Sequence, residues 1–311
     1  MIAAFESIAT GFLASAIRIA TPFLFAALGE TITERSGIIN LGIEGAMLSG
    51  ALAAALGASA GGPWTGTFAA IAAGAAVSAL VAMIVLGVRA DQVITGTAAT
   101  LGAVGITGAI YQRVYGASGV GLSLPTFGIV SIPILSRLPV IGSALFQQSM
   151  LTYIAMLLVP VTHWAIFHTR WGLRLRASGE SAAAARAAGV RVEGLKAAAL
   201  IIGGALAGLA GASLVLAQVG TFAERMTAGR GFIAIAIVVL GGWNPLRVGA
   251  AALLFGGAMA LQYLFQALAL GIPYQVFLIL PYLLTLMVLA GAIGRVRAPA
   301  ELGKSSGEGL F

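Results

Sequence analysis

The chain has 311 residues, of which 59% are hydrophobic and only 9% charged, with a formal charge of +7 and a mean hydropathy of +1.02. A soluble domain carries about a quarter charged residues, so this chain has too little charge to coat a water-facing surface. Cysteine is absent, which removes disulfides, thiolate metal sites and cysteine nucleophiles. The basic residues sit at the ends of apolar segments instead of forming one patch, which argues against nucleic acid as a partner.

Apolar runs fall at roughly 8–28, 38–58, 66–88, 92–112, 149–169, 197–218, 231–242, 247–268 and 274–293. Most have the length a helix needs to cross a ~30 Å hydrocarbon core. They are long and show no period-2 alternation, which favours helices over a barrel. The predicted fold is an all-α integral membrane protein, a polytopic bundle of about nine helices (eight to ten) solvated by membrane lipid. The first run lacks a basic leader and a small-residue cleavage site and is read as a retained helix. The run at 203–212, Gly-Gly-Ala-Leu-Ala-Gly-Leu-Ala-Gly-Ala, predicts close helix packing, since small residues let backbones approach. The run at 231–242 is short for a span and is expected to be broken or re-entrant.

Two polar stretches punctuate the bundle. Residues 113–148 are rich in Gly, Ser and Pro, whereas residues 170–196 carry Arg170, Arg174, Arg176, Arg186, Arg191 and Lys196 against Glu180 and Glu193. The positive-inside rule places the second stretch in the cytoplasm. Alternating the segments from there also puts Arg35, Arg89, Arg247, Arg295, Arg297 and Lys304 inside, leaving Arg113, Arg137, Arg225 and Arg230 outside. The C-terminus is thus expected in the cytoplasm. Residues 1–294 form one transmembrane domain with a cytoplasmic loop at 170–196, and 295–311 read as a frayed cytoplasmic tail without chemistry.

In chain order, the first informative stretch is Gly29 to Gly50, G-E-T-I-T-E-R-S-G-I-I-N-L-G-I-E-G-A-M-L-S-G. Asn40 and Glu44 are four apart and share a helix face. Glu44 and Arg18 come out at similar depth, so they are candidates for a structural ion pair, since buried charges offset each other's cost. Substrate contact by Glu44, or no contact between the two, are the alternatives.

Within 170–196, Ser178 is expected to cap a short helix, Glu180 to favour its N-terminal end, and Ala182 to Ala188 to form its body. Gly189 suits the C-terminal stop. Ala183, Ala184 and Ala187 would offer a small, close-packing face to a soluble partner; a passive amphipathic helix on the headgroups is the plainer reading. Gly229 to Pro245 ends in Gly-Gly-Trp-Asn-Pro, and a helix broken at membrane depth has to be buried or line a cavity. His163 and His168 are five apart without a carboxylate, a poor metal pair. The chain has no phosphate-binding loop, so any nucleotide it depends on must sit on another subunit.

The motifs E-R-S-G-I-I-N-L-G-I-E-G-A-M-L-S-G-A (Glu34 to Ala51), G-L-R-L-R-A-S-G-E-S-A-A-A-A-R-A-A-G-V (Gly172 to Val190) and A-I-A-I-V-V-L-G-G-W-N-P (Ala234 to Pro245) stand in this order. Together they resemble the permease subunits of ABC importers of the simple-sugar and branched-chain amino-acid superfamily, and look most like the second permease of nucleoside-type systems. The resemblance covers about residues 20 to 293. It implies that the helix near Gly179 to Gly189, with Glu180, inserts into a groove of a partner ATPase. Ser181 and Ala182 stand where relatives often carry Asn-Pro, a departure that keeps the helix.

The resemblance implies a multi-pass subunit of a bacterial plasma membrane importer for nucleosides or simple sugars, without catalysis of its own. It would bind no cofactor, ATP and magnesium being held by the partner ATP-binding subunit. Its other partners would be a second, different permease and an extracytoplasmic binding protein or lipoprotein. Asn40, Glu44, Gln92, Thr95 and Asn244 are the candidates for the translocation path. An ion-coupled secondary transporter would need carboxylates at midplane, and Glu44 reads as the only internal one. An intramembrane enzyme would need a nucleophile and base that the sequence does not offer.

Overall fold

The computed structural model describes residues 2–116, 123–133, 136, 141–267, 279, 283, 286 and 297–304. In chain order its helices are α1 (Ile2–Arg35), α2 (Ile43–Gly61), α3 (Pro63–Ala82), α4 (Gln92–Tyr115), α5 (Ile141–Phe146), α6 (Met150–His168), α7 (Arg170–Glu180), α8 (Ala182–Ala187), α9 (Val192–Leu214), α10 (Arg230–Gly241) and α11 (Pro245–Ala267). One π-helical turn, Met83–Val88, extends α3, and another, Val215–Val219, extends α9. A two-stranded antiparallel ribbon pairs β1 (Ile129–Ser131) with β2 (Gln147–Ser149), with Val130 opposite Gln148.

Seven of the described helices, α1, α2, α3, α4, α6, α9 and α11, are long and apolar enough to cross a membrane. With α10 they account for eight of the nine expected segments. The ninth, 274–293, lies outside the described residues apart from three positions, as do Arg137 and Arg295. The first helix runs seven residues beyond the expected end at 28, because nothing between Leu28 and Arg35 breaks it. The second starts five residues late. Gly37 turns the chain at φ +92°, and the Asn40 side chain accepts the Gly42 amide at 3.1 Å, which keeps 37–42 out of the helix.

Polar side chains start several helices where the sequence supplies them. Asp91 accepts the Val93 and Ile94 amides at the head of α4, and Ser149 accepts the Thr152 amide at the head of α6. Each satisfies amides that have no partner within the helix.

The apolar core is centred on α9, the most buried of the spans, which packs against α1, α2 and α3. Glycines make these contacts backbone to backbone. A Cβ on Gly50 would come within 2.7 Å of the Gly208 carbonyl oxygen, and one on Gly74 would meet Gly208 N at 2.7 Å and Gly204 O more closely still. A Cβ on Gly29 would meet Gly203 O at 2.7 Å. Lipid tails offer helices no apolar driving force to associate, so contact of this closeness is what holds them together.

The tail is not frayed where it is described. The Glu301 amide donates to the Gly179 carbonyl at 2.8 Å, and Gln92 Nε2 donates to the Lys304 carbonyl at 2.8 Å. Pro299 is buried. Residues 297–304 thus strap the end of α7 to the start of α4, a role that polar composition alone does not reveal.

Gly208→Val tests the packing at the centre of the bundle. Its side chain would press on the Ala70 carbonyl and on Gly74. Thermal unfolding in detergent should show a loss of ~1–3 kcal/mol or more, the usual range for overpacking. An unchanged melting temperature would mean that α9 is not packed on α2 and α3 as described.

Candidate functional site

Two polar constellations lie at the ends of α10. This helix has 12 residues, about 18 Å at 1.5 Å per residue, well short of a span. Its N-cap is Gly229, in the left-handed region at φ +80°, with no side chain to satisfy the first amides. The carboxylate of Glu44, in the first turn of α2, does so from outside. Glu44 Oε1 accepts the Gly229 amide at 2.8 Å and the Thr227 hydroxyl at 2.6 Å, and Oε2 accepts the Gly231 amide at 2.7 Å. The α10 N-terminus carries partial positive charge, which suits a carboxylate. Gly231 is needed for the approach, since a Cβ there would lie 2.7 Å from Glu44 Oε2.

Arg18 takes no part in this. The described residues contain two ion pairs, Arg186–Glu193 and Lys304–Glu301, so the expected Arg18–Glu44 strut is corrected. The reason is the length of α1. Arg18 stands 17 residues before its end, about 25 Å at 1.5 Å per residue, not the ten residues that an end at 28 implied. Its carbonyl accepts Gln218 Nε2 at 2.8 Å.

At the other end of α10 the chain turns through Gly242 (φ +62°) and Trp243 (φ +55°). A bulky residue in the left-handed region is an outlier that its surroundings have to hold. Glu34 accepts a hydrogen bond from the Trp243 indole nitrogen, and Arg35 Nε donates to the Trp243 carbonyl at 2.9 Å. Both come from the last turn of α1. One turn earlier, Glu30 accepts the Asn40 amide at 2.9 Å. Glu30 and Glu34 are 0% and 1% exposed, so Glu44 is not the only internal carboxylate. Their i,i+4 spacing on an unbroken continuation of α1 was the available signal; ending the first segment at 28 hid it.

The path candidates are distributed differently. Asn40 caps the turn before α2 and donates through Nδ2 to Ser78 at 3.4 Å. Gln92 Oε1 accepts the Ile39 amide at 2.9 Å while its amide nitrogen holds the tail. Asn244 Oδ1 accepts the Leu246 amide at 3.0 Å at the head of α11, where Pro245 needs no partner. Thr95 is buried on the face of α4 that packs against α2. Asn40 and Gln92 meet at the turn between α1 and α2; Asn244 lies beside the Trp243 turn. His163 lies beside Phe167, ring centroids 4.9 Å apart.

The arginine-rich connection forms two helices instead of one. Ser181, not Ser178, caps the second, accepting the Ala184 amide at 3.2 Å. Ser178 is buried and donates to Leu175 O at 2.8 Å and Ser36 O at 3.4 Å. Glu180 therefore ends α7 instead of starting the alanine helix. The stop at Gly189 lies at φ +81°. Its amide donates to Arg186 O at 2.9 Å and that of Val190 to Ala185 O at 3.0 Å, the pair of hydrogen bonds that closes a helix on a left-handed residue. Ala182 and Ala185 face inward; Glu180, Ala183, Ala184, Ala187 and Gly189 are exposed. Gly179 is buried, where a Cβ would crowd Arg35 O and lie 3.3 Å from Gly37 N.

The α7 connection also meets α1 through rings. The guanidinium groups of Arg35 and Arg176 lie 5.5 and 5.0 Å from the centroid of Phe167, at the end of α6. Attraction of cations to the ring draws the ends of α1, α6 and α7 together. The exposed Arg186–Glu193 pair, at 2.7 Å, ties α8 to α9 and contributes only ~0–1 kcal/mol.

Over residues 12–289 the chain matches the family described as branched-chain amino acid transport system / permease component. It is 36% identical to the putative glucose ABC transporter permease protein of Haloferax volcanii, over 94% of each chain. It is 35% identical to the guanosine ABC transporter permease protein of Bacillus subtilis and 32% identical to the nucleoside ABC transporter permease protein of Lactococcus lactis. Both matches cover 91% of this chain and 92% of the relative. No solved structure matches it.

Glu44→Gln should destabilise the protein by ~1–3 kcal/mol, because an amide replaces one acceptor oxygen and leaves a buried N–H unpaired. Arg18→Met should add its own effect without rescue, read by thermal unfolding of the single and double variants. Recovery in the double variant would restore the ion pair that the geometry rejects.

Proposed function

The chain belongs to the family of branched-chain amino acid transport system permease components, and from that premise we propose that it is the membrane-spanning half of an ATP-driven importer of nucleosides or simple sugars. The observation that carries this is α8, a short helix that turns Ala183, Ala184 and Ala187 outward beside Arg186, which is paired with Glu193, and whose ends are fixed by Ser181 and the Gly189 stop. A helix meant only to rest on headgroups would present long apolar side chains outward. A face made mostly of methyl groups instead suits a groove, and because the sequence carries no phosphate-binding loop motif, this reading assigns ATP and magnesium to the protein that supplies that groove.

In this reading α7 and α8 face the cytoplasm, as does the C-terminus, in accord with the arginine-rich connection. An ATP-binding subunit docks on α8, a second, different permease completes the membrane unit, and an external binding protein delivers the solute. Closure of the ATPase pushes α8, and alternating access follows. The solute class is taken from the relatives that act on guanosine, nucleosides and, putatively, glucose, and a neutral, hydroxyl-bearing solute fits a chain with few intramembrane charges. The turn between α1 and α2, with Asn40 and Gln92, borders the path, and Glu44 shapes it by fixing α10.

Ala184→Arg places a long cation on the docking face and should abolish ATP-driven uptake while leaving insertion and folding intact. ATP hydrolysis by the assembled complex should fall to the unstimulated rate. Normal uptake by an assembled variant would make α8 a passive surface helix.

Orientation is tested by single cysteines at Ala183 or Ala187. They should react with a membrane-impermeant maleimide only in inverted vesicles. Labelling in intact cells would reverse the topology.

A further inference from the structure

The contacts around α10 form one continuous connection, from the exposed face of α8 to the interior of the bundle. At the α8 end, Ser181 separates α8 from α7 by a single residue. The last turn of α7 lies against the terminus of α1. Gly179 is in backbone contact with Arg35 and Gly37, Ser178 donates to Ser36 O, and the Glu301 amide donates to Gly179 O. The next two links are side chains of that same terminus, Glu34 on the indole of Trp243 and Arg35 on its carbonyl. Trp243 closes α10, its amide donating to Val238 O at 3.2 Å. At the far end, the first amides of α10 rest on the Glu44 carboxylate.

We propose that α10 is the gating element of the permease and that Trp243 is the positioning residue by which the coupling helices move it. Both grips are of the kind that release as units. The Glu44 end is held by hydrogen bonds from Thr227, Gly229 and Gly231 to one carboxylate, with no apolar side chain at Gly229 or Gly231 to interlock. The Trp243 end is held in a backbone conformation that a tryptophan adopts only when gripped. α10 also buries Ala234, Ile237 and Val238 in the core and approaches α11 closely at Gly241, but its other side, with Phe232 and Val239, is exposed. A moving grip at one end therefore shifts this short helix more readily than α9, which is interlocked with three neighbours by backbone contact. Transmission through packed elements requires such a discrete, two-position part. This inference rests on the reading of α8 as the ATPase dock.

The test uses the assembled complex, with its ATP-binding subunits and binding protein, in proteoliposomes. Trp243→Phe keeps the ring and removes the donor to Glu34. Uptake per ATP hydrolysed should fall on the order of 10-fold, a common size for coupling between sites, while stimulated hydrolysis continues. Glu34→Gln keeps an acceptor for the indole and should stay close to the unmodified ratio; Glu34→Leu should match Trp243→Phe, and combining the two should add little. An unchanged ratio in Trp243→Phe, or strictly additive losses in the pair, overturns the proposal.

A second measurement does not depend on those variants folding. Spin labels at Phe232 on α10 and Leu80 on α3, both exposed, should move relative to each other by ~2 Å or more, the scale of helix shifts in such transitions, when nucleotide is trapped. No change would overturn the assignment of α10. The outcomes separate from failure of the parent reading: Ala184→Arg removes stimulation of hydrolysis, whereas Trp243→Phe keeps it. Lack of ATP-dependent uptake by the unmodified complex would count against the importer itself.

Discussion

A helix that begins inside the bundle must find partners for its first amides where water does not reach, and much of this structure is arranged around that requirement. α10 has glycine at its N-cap and cannot cap itself. Glu44 supplies the acceptors, which fixes where α2 must start and how closely α10 can approach it. That approach in turn demands glycine at position 231. The same rule, that every buried backbone group needs a partner, explains why the chain leaves helical geometry at 37–42 only where Asn40, Gln92 and Glu30 take up the freed groups.

The opposite need, for contact without polar partners, governs α9. Its glycines admit the backbones of α1, α2 and α3, so the centre of the bundle is held by close van der Waals contact. This makes the middle rigid and leaves mobility to elements held by fewer and more local contacts. α10, exposed on one side and gripped by hydrogen bonds at its two ends while Ala234, Ile237 and Val238 seat its other side in the core, and the α7–α8 connection, held by the α1 terminus and the 297–304 strap, are of that kind. Their disposition places a stiff scaffold between the membrane interior and the arginine-rich face, with one short helix beside it that reaches from one to the other.

The membrane class, eight of the segments, the close packing at Gly203 to Ala212 and the stop at Gly189 were legible in the sequence, because each follows from local composition or from one residue's backbone preference. What was not legible depended on distant neighbours. Glu34 and Trp243 are 209 residues apart, and Glu44 meets Gly231 across 187; no periodicity reports such pairs. The Arg18–Glu44 pairing failed because depth was counted from a helix end placed seven residues too early. Ser178 read as a cap because Ser followed by Gly-Glu-Ser looks like a helix start, yet tertiary contact with Ser36 claimed its hydroxyl and left the cap to Ser181. The strap at 297–304 was missed because its bonds run through main-chain groups, which every polar tail possesses.

Energy source is the point on which the account stands. With α8 read as a docking helix and no phosphate-binding loop motif in the sequence, transport should require a separate ATPase. The direct measurement is uptake of radiolabelled guanosine and glucose into proteoliposomes, with and without the ATP-binding subunits and ATP, under imposed proton or sodium gradients. Uptake of one of these solutes only when ATPase and ATP are both present, and indifferent to the gradients, is the predicted result. Gradient-driven uptake by the permease without the ATPase would contradict it and would turn attention to Glu30, Glu34 and Glu44 as ion ligands.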